Sequence, residues 1–359
     1  MSLSQQRILI LGAGLLGTTL NTGFRHRGLD TRITVTSNNR TGQQGVLVEG
    51  KEQVRSTLLA RYGGTLCNTL PDYQNLVNDY KPTWIINTIP QPPTDLVEYV
   101  LSVNGSFKVD FSSPAADFAM ACPDKCPPGS YPGDKLAVEK LVNKRAHAYK
   151  DALVLQIGFI PEIATVDGYA VPSGLSFETM VNCNLLTGSY EKDIRELDEV
   201  DPETGLSLLR TTLNKFDQTK GFTCTPISNI FQLLLALIRG HVGIPENVWG
   251  RTLAMHSSQV WPRNEIIKAL KNPETKSSNT LPEFYGQKSA DKITKPVKEF
   301  LDTFGILHYD VTSHDVVHAI KQTSELFKDY DNRVHLIQIS SQLAKEAFLK
   351  ERSSKKAKV

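Results

Sequence analysis

The first half of the chain alternates short apolar runs with longer amphipathic stretches. Residues 7–11 (RILIL), 84–89 (WIINTI) and 152–157 (ALVLQI) are nearly continuous apolar runs. Strands buried on both faces of a parallel sheet read this way. Residues 31–36 (TRITVT) are β-branched and predict a second strand, residues 64–68 a short third, and residues 107–111 (FKVDF) another. Between them, residues 15–27, 72–80, 94–103 and 134–149 predict helices, with Gly28 a stop for the first. Strands alternating with helices predict an α/β fold, a doubly wound parallel sheet covered on both faces. Residues 1–158 form the expected sheet domain, completed by parts of 159–240. Residues 159–350 form a smaller, mostly helical substrate lobe, with helices near 231–239, 323–330 and 334–350 and a polar loop at 271–296. Residues 351–359 (ERSSKKAKV) form a basic tail.

Composition narrows the class. Of 359 residues, 40% are hydrophobic and 22% charged, which suffices for a packed core. Lys plus Arg total 40 against 38 Asp plus Glu. That balance weighs against a nucleic-acid binder, which needs a concentrated basic surface. Apolar runs are too short to span a bilayer. The five cysteines are odd in number and scattered, unlike a disulfide framework. Cys122 with Cys126, and His314 with His318, have metal-ligand spacing but lie far apart, so no metal is expected. A cytoplasmic protein is expected.

Candidate chemistry begins at Gly12-Ala-Gly-Leu-Leu-Gly17, which follows a predicted strand and opens a predicted helix. That context turns a weak GxGxxG pattern into a dinucleotide site of the Rossmann kind. Gly12 permits the tight turn, Gly14 the approach of a pyrophosphate, and Gly17 close helix–strand packing. Amides of the helix start, Leu15 and Leu16 included, then face the phosphates. An NAD site usually carries an acidic residue after the second strand. Here Ser37, Asn39 and Arg40 stand instead, a set suited to a 2′-phosphate. NADP is therefore the expected cofactor, with NAD the alternative.

After the fifth predicted strand come Ser112 and Ser113, and eighteen residues after Ser113 comes Tyr131-Pro-Gly-Asp-Lys135. At i and i+4 the tyrosine and lysine share a helical face. A lysine so placed favours the phenolate, and a tyrosine needs such help to act as a base near neutrality. Asn87 ends the fourth strand. The order of glycine loop, asparagine, serines and YxxxK is far more specific than YxxxK alone.

With these pieces, residues 7–240 resemble the short-chain dehydrogenase/reductase superfamily, and its extended branch in particular. The matching segments are GAGLLG at 12–17, INT at 86–88, FSSP at 111–114, YPGDKLAVEK at 131–140, LQIGFIPE at 155–162 and TPISNIFQLLLALI at 225–238. The resemblance implies Ser113 as catalytic serine, with Ser112 the fallback, Tyr131 as acid/base and Lys135 as its partner. Asn87, Tyr131 and Lys135 would also border the cofactor. It implies hydride transfer at a carbinol or carbonyl carbon of a small molecule, a nucleotide sugar or similar polyol, and a homodimer. Four features depart from the extended pattern. The loop has one residue between its first two glycines, residues 90–106 are shorter than expected, Gln156 stands where arginine is frequent, and SSPAADF lacks the tyrosine common after the serines. They keep open a catalytically lapsed NADP(H)-binding regulator, and a dehydrogenase of another Rossmann family in which Tyr131 and Lys135 are incidental. Asp117 and Glu139 are the nearby carboxylates. Glu139, one turn beyond Lys135, is expected in a surface pair, and Lys215, Arg251, His256 and Arg263 could meet a substrate phosphate.

Overall fold

The computed structural model describes residues 6–36, 47–121, 123–160, 165–167, 169–170, 221–257, 260–262, 307–309, 311, 315 and 318–319. Ser37, Asn39, Arg40, Cys122, Lys215, Arg263 and His314 lie outside them, as do the helices expected beyond residue 320 and the basic tail.

Six strands come first: β1 (Arg7–Leu11), β2 (Asp30–Val35), β3 (Gly64–Leu66), β4 (Trp84–Asn87), β5 (Phe107–Ser112) and β6 (Ala152–Ile157). They stand in the order β3-β2-β1-β4-β5-β6, all parallel. This is the doubly wound order, with its reversal between β1 and β4. Further on, β7 (Thr165–Val166) pairs antiparallel with β8 (Tyr169–Ala170), and β9 (Gly221–Thr223) with β11 (Val260–Pro262). Two more strands, β10 (Thr252–Met255) and β12 (Leu307–His308), add in parallel beyond β6 to give eight in all. Both lie beyond residue 240, downstream of the stretch expected to complete the sheet.

The helices are α1 (Leu15–His26), α2 (Leu47–Arg61), α3 (Leu70–Tyr80), α4 (Thr94–Ser102), α5 (Pro114–Ala121), α6 (Tyr131–Tyr149) and α7 (Ile227–Ile238). Side chains alternate across a strand, so β1 splits its apolar residues between two layers. Ile8 and Ile10 join a core with Leu20 and Phe24 of α1, Leu58 of α2 and Ile230 and Leu234 of α7. Leu9 and Leu11 face Tyr73 and Val77 of α3 and Leu96 and Val100 of α4. Full burial of side chains this size stabilises by about 1.5–3 kcal/mol each. Phe24 stacks on Phe231 with ring centroids 5.1 Å apart, which docks α7 against α1.

Two helices escaped the sequence reading. The start of α5 was signalled by Ser113-Pro114: Ser113 Oγ accepts from the Ala115 amide at 3.3 Å, and proline suits the first helical position. For α2 the signal is weak, with Gly50 inside it and Val54 and Leu58 buried. No helix among the described residues is long and apolar enough to cross a membrane.

Candidate functional site

The site grows from the reversal point, where β1 and β4 end side by side. Gly12 takes φ +99°, a conformation glycine reaches without strain. Its amide donates to Thr34 Oγ1 at 2.9 Å. Thr88, just past β4, donates from Oγ1 to the Leu11 carbonyl at 2.8 Å and lies 3.0 Å from that of Gly12. The turn is thus pinned from both neighbouring strands. At Gly17 a Cβ would collide with the Gly12 carbonyl oxygen. Gly14 is the opposite case: it is the N-cap of α1, and a Cβ there would meet nothing within 4 Å.

The start of α1 is therefore open from the Gly14 side, has no side-chain cap and no acidic residue in its first turn. Leu15 and Leu16 turn their side chains into the core, leaving only their amides for a ligand. Unsatisfied amides at a positive helix end suit a diphosphate. The residues present fit a dinucleotide on this ground. Gly17→Ala is expected to displace the Gly12 turn, cost ~1–3 kcal/mol in stability and weaken dinucleotide binding at least ~10-fold. Chemical unfolding and a fluorescence titration check both, and unchanged affinity would contradict this role for Gly17.

Beside the loop lies a buried polar cluster between β5 and α6. Lys108, Asp110 and Ser112 alternate along β5, and all three are buried. The Asn87 amide donates to Asp110 Oδ2 at 2.6 Å. Lys135, 4% exposed, donates from Nζ to the Phe111 carbonyl at 2.6 Å. Burial pushes its pKa down, against the pull of Asp110 and Glu139. Burial likewise pushes the Asp110 carboxyl up to about 6, opposed by Lys135 and the Asn87 hydrogen bond.

Glu139 is buried, not paired at the surface as the sequence suggested. The long helix α6 lies flat on the sheet and turns this face inward. The Thr252 hydroxyl donates to Glu139 Oε2 at 3.1 Å, while Glu139 Oε1 and the buried Ser112 hydroxyl have no hydrogen-bond partner among the described residues. Burial drives the Glu139 pKa up to about 7. A second buried row continues across the sheet: Gln156 Nε2 donates to Asp117 Oδ1 at 2.8 Å, and His256 Nε2 lies 3.3 Å from Gln156 Oε1. Asp117 is also raised by burial, to about 6. His256 thus sits inside this row, only 2% exposed. Asp110 escaped the sequence reading altogether, although KxDxS within a central buried strand was an audible signal.

Ser113 leaves β5 as the cap of α5. Its Oγ accepts from Ala115, so its own proton remains available to donate. Tyr131 opens α6 and is 36% exposed, whereas Lys135, one turn on, is buried. The two share a helix face, but the charges acting on the lysine are those of Asp110 and Glu139. The start of α6 is tied to the loop after β4 by Gln91 Nε2 donating to Asp134 Oδ2 at 3.1 Å. Among the described residues no group of three potential ligands could hold a metal, and Cys67, Cys126 and Cys224 are buried outside any disulfide.

No family model matches the chain, and no curated protein matches it by sequence. Solved structures do match. UDP-glucose 4-epimerase of Thermus thermophilus, in complex with NAD, is 11% identical, with 90% of this chain and 99% of that one covered at a TM-score of 0.50. WbmH of Bordetella bronchiseptica, in complex with NAD+, is 13% identical, with 91% and 99% covered and a TM-score of 0.50. The PbgP3 protein of Burkholderia pseudomallei is 12% identical, with 92% and 99% covered and a TM-score of 0.50. At such identities the likeness establishes the fold alone, a doubly wound parallel sheet of the Rossmann kind.

Proposed function

We propose that this protein is an NAD(P)-dependent oxidoreductase or epimerase of the short-chain dehydrogenase/reductase type. Its substrate is a nucleotide sugar or similar polyol, and it works as a cytoplasmic homodimer. The observation that carries the reading is the uncapped, glycine-opened start of α1 at the sheet's reversal point. Structures sharing the fold were solved with NAD, which supports a dinucleotide here. Ser37, Asn39 and Arg40 favour the 2′-phosphate of NADP.

When bound, the dinucleotide supplies or accepts the hydride. The chain's own residues do the rest. The amides of Gly14, Leu15 and Leu16 hold the diphosphate. Asn87 and Lys135 border the nicotinamide half. Ser113 donates to the substrate oxygen and fixes its orientation, and Tyr131 moves that oxygen's proton. Tyr131 has the exposure this role needs.

Fluorescence titration with NADPH and NADH tests the reading. NADPH is expected to bind at least ~10-fold more tightly than NADH, with the difference lost in Arg40→Ala. Binding must be accompanied by hydride exchange with a nucleotide sugar. If neither cofactor binds, the reading fails. A second reading, a lapsed enzyme that keeps the dinucleotide as a regulatory ligand, draws on the engagement of Lys135 by Phe111 and Asp110. Tight binding without hydride exchange on any substrate would select it.

A further inference from the structure

The buried face of β5 asks for an explanation. Strands in the middle of a parallel sheet are apolar on both faces, and a lone ion there costs several kcal/mol. Lys108 has its answer in Asp151, whose Oδ2 lies 2.7 Å from its Nζ and which also takes Arg145. Asp110, two residues on, has no such surface partner. Its contacts are the Asn87 amide at 2.6 Å and the field of Lys135. The Lys135 amine is bonded to Phe111, the next residue along β5. Two side chains that border the proposed nicotinamide site therefore converge on adjacent residues of one strand.

We propose that Asp110 is a positioning residue for that site, the counter-charge that holds the Lys135 ammonium and the Asn87 amide together beneath the ends of β4 and β5. This rests on the proposed role of Lys135. The lysine reaches the cofactor side with its charge already set from within the protein. Other titratable groups near the pair are accounted for. Glu139 on α6 is the second charge acting on Lys135 and is bonded by Thr252. Asp117 on α5 is held by Gln156, and His256 beyond β10 by the same glutamine. Lys108 is held by Asp151.

Asp110→Asn keeps the shape and the acceptor for Asn87 but removes the charge. Lys135, left with Glu139 alone in a desolvated place, then gives up its proton more readily. A lysine whose folded-state pKa drops makes folding more favourable as pH rises through that pKa. Relief of the buried Asp110 charge and loss of the Lys135 counter-charge act in opposite directions on the cofactor-free protein, so the melting temperature of Asp110→Asn relative to wild type is expected to rise between about pH 7 and about pH 10 as Lys135 sheds its proton. NADPH affinity of the variant should fall ~10-fold between about pH 7 and about pH 9, more steeply than that of wild type. A melting difference independent of pH, with parallel affinity profiles, overturns the proposal. A double-mutant cycle guards against a trivial folding defect. In a Lys135→Met background Asp110 has no counter-charge, so Asp110→Asn should raise the melting temperature there by more than in the wild-type background. Equal changes in both backgrounds overturn the proposal alone. Coupling of 110 with 135 in a wild-type chain that binds neither NADPH nor NADH overturns the cofactor reading, and the positioning role with it.

Discussion

Tyr131→Phe is expected to lower turnover about 10²–10⁴-fold, the contribution of a positioned acid/base, and to leave NAD(P)H affinity unchanged. The reasons are geometric. Tyr131 is the first residue of α6, held in place by the Ser130 cap, whose Oγ accepts from the Gly133 amide at 3.3 Å. It is partly exposed, so loss of the hydroxyl opens no cavity in the core. The phosphate-binding amides belong to α1, a separate element, so cofactor binding has no reason to change. Steady-state kinetics on a nucleotide-sugar substrate, with a parallel cofactor titration, separate the two effects. Full turnover in the variant would remove Tyr131 from the chemistry. Equal losses in kcat and in cofactor affinity would make it a binding residue instead.

Glu139→Gln should stabilise the protein at about pH 8 by ~1–3 kcal/mol and leave it nearly unchanged at about pH 4. Burial holds the Glu139 carboxyl up at about 7. The stability tied to its protonated form is complete below the ordinary glutamate pKa of about 4.3. It is lost as pH rises through about 7. Glutamine removes the buried charge and can still accept from Thr252. Part of the gain is returned, because Glu139 is one of the two charges supporting Lys135. Asp110 and Asp117, both raised to about 6, act in the same direction. Wild-type stability is accordingly expected to decline between about pH 4 and about pH 7, the reverse of ordinary acid unfolding. Asp72 and Asp151 oppose this only at lower pH, since hydrogen bonds and nearby cations hold their carboxyls down. Chemical unfolding at the two pH values decides the matter. A Glu139→Gln effect of the same size at both would show that its charge is not the cause.

Much of the fold was legible in the residues themselves. The runs RILIL and ALVLQI are the central strands β1 and β6, and the first four residues of WIINTI are β4. Their apolar continuity reports burial on both faces, which is a local property of the sequence. The glycine loop was legible for the same kind of reason. Gly17 cannot carry a Cβ against the Gly12 carbonyl, and Gly12 needs its positive φ. The start of α5 and the polar alternation of β5 were also written in the residues, as Ser113-Pro114 and KxDxS, and went unread.

What the sequence determined by itself is the order of the elements and the identity of the residues at each strand end, because hydrophobic period and backbone permissiveness act over a few neighbours. Only the tertiary structure decided which of those residues meet. Asp110 and Lys135 are separated by 25 positions and Glu139 and Thr252 by 113. Their encounter depends on how α6 crosses β5, β6 and β10, which no local pattern encodes. The same crossing separated Tyr131 from Lys135 in environment: four residues apart on one face, one is exposed and the other buried beside a carboxylate. The depth at which a charge sits sets its hydration, and so its proton affinity. Depth is a property of the packed molecule alone.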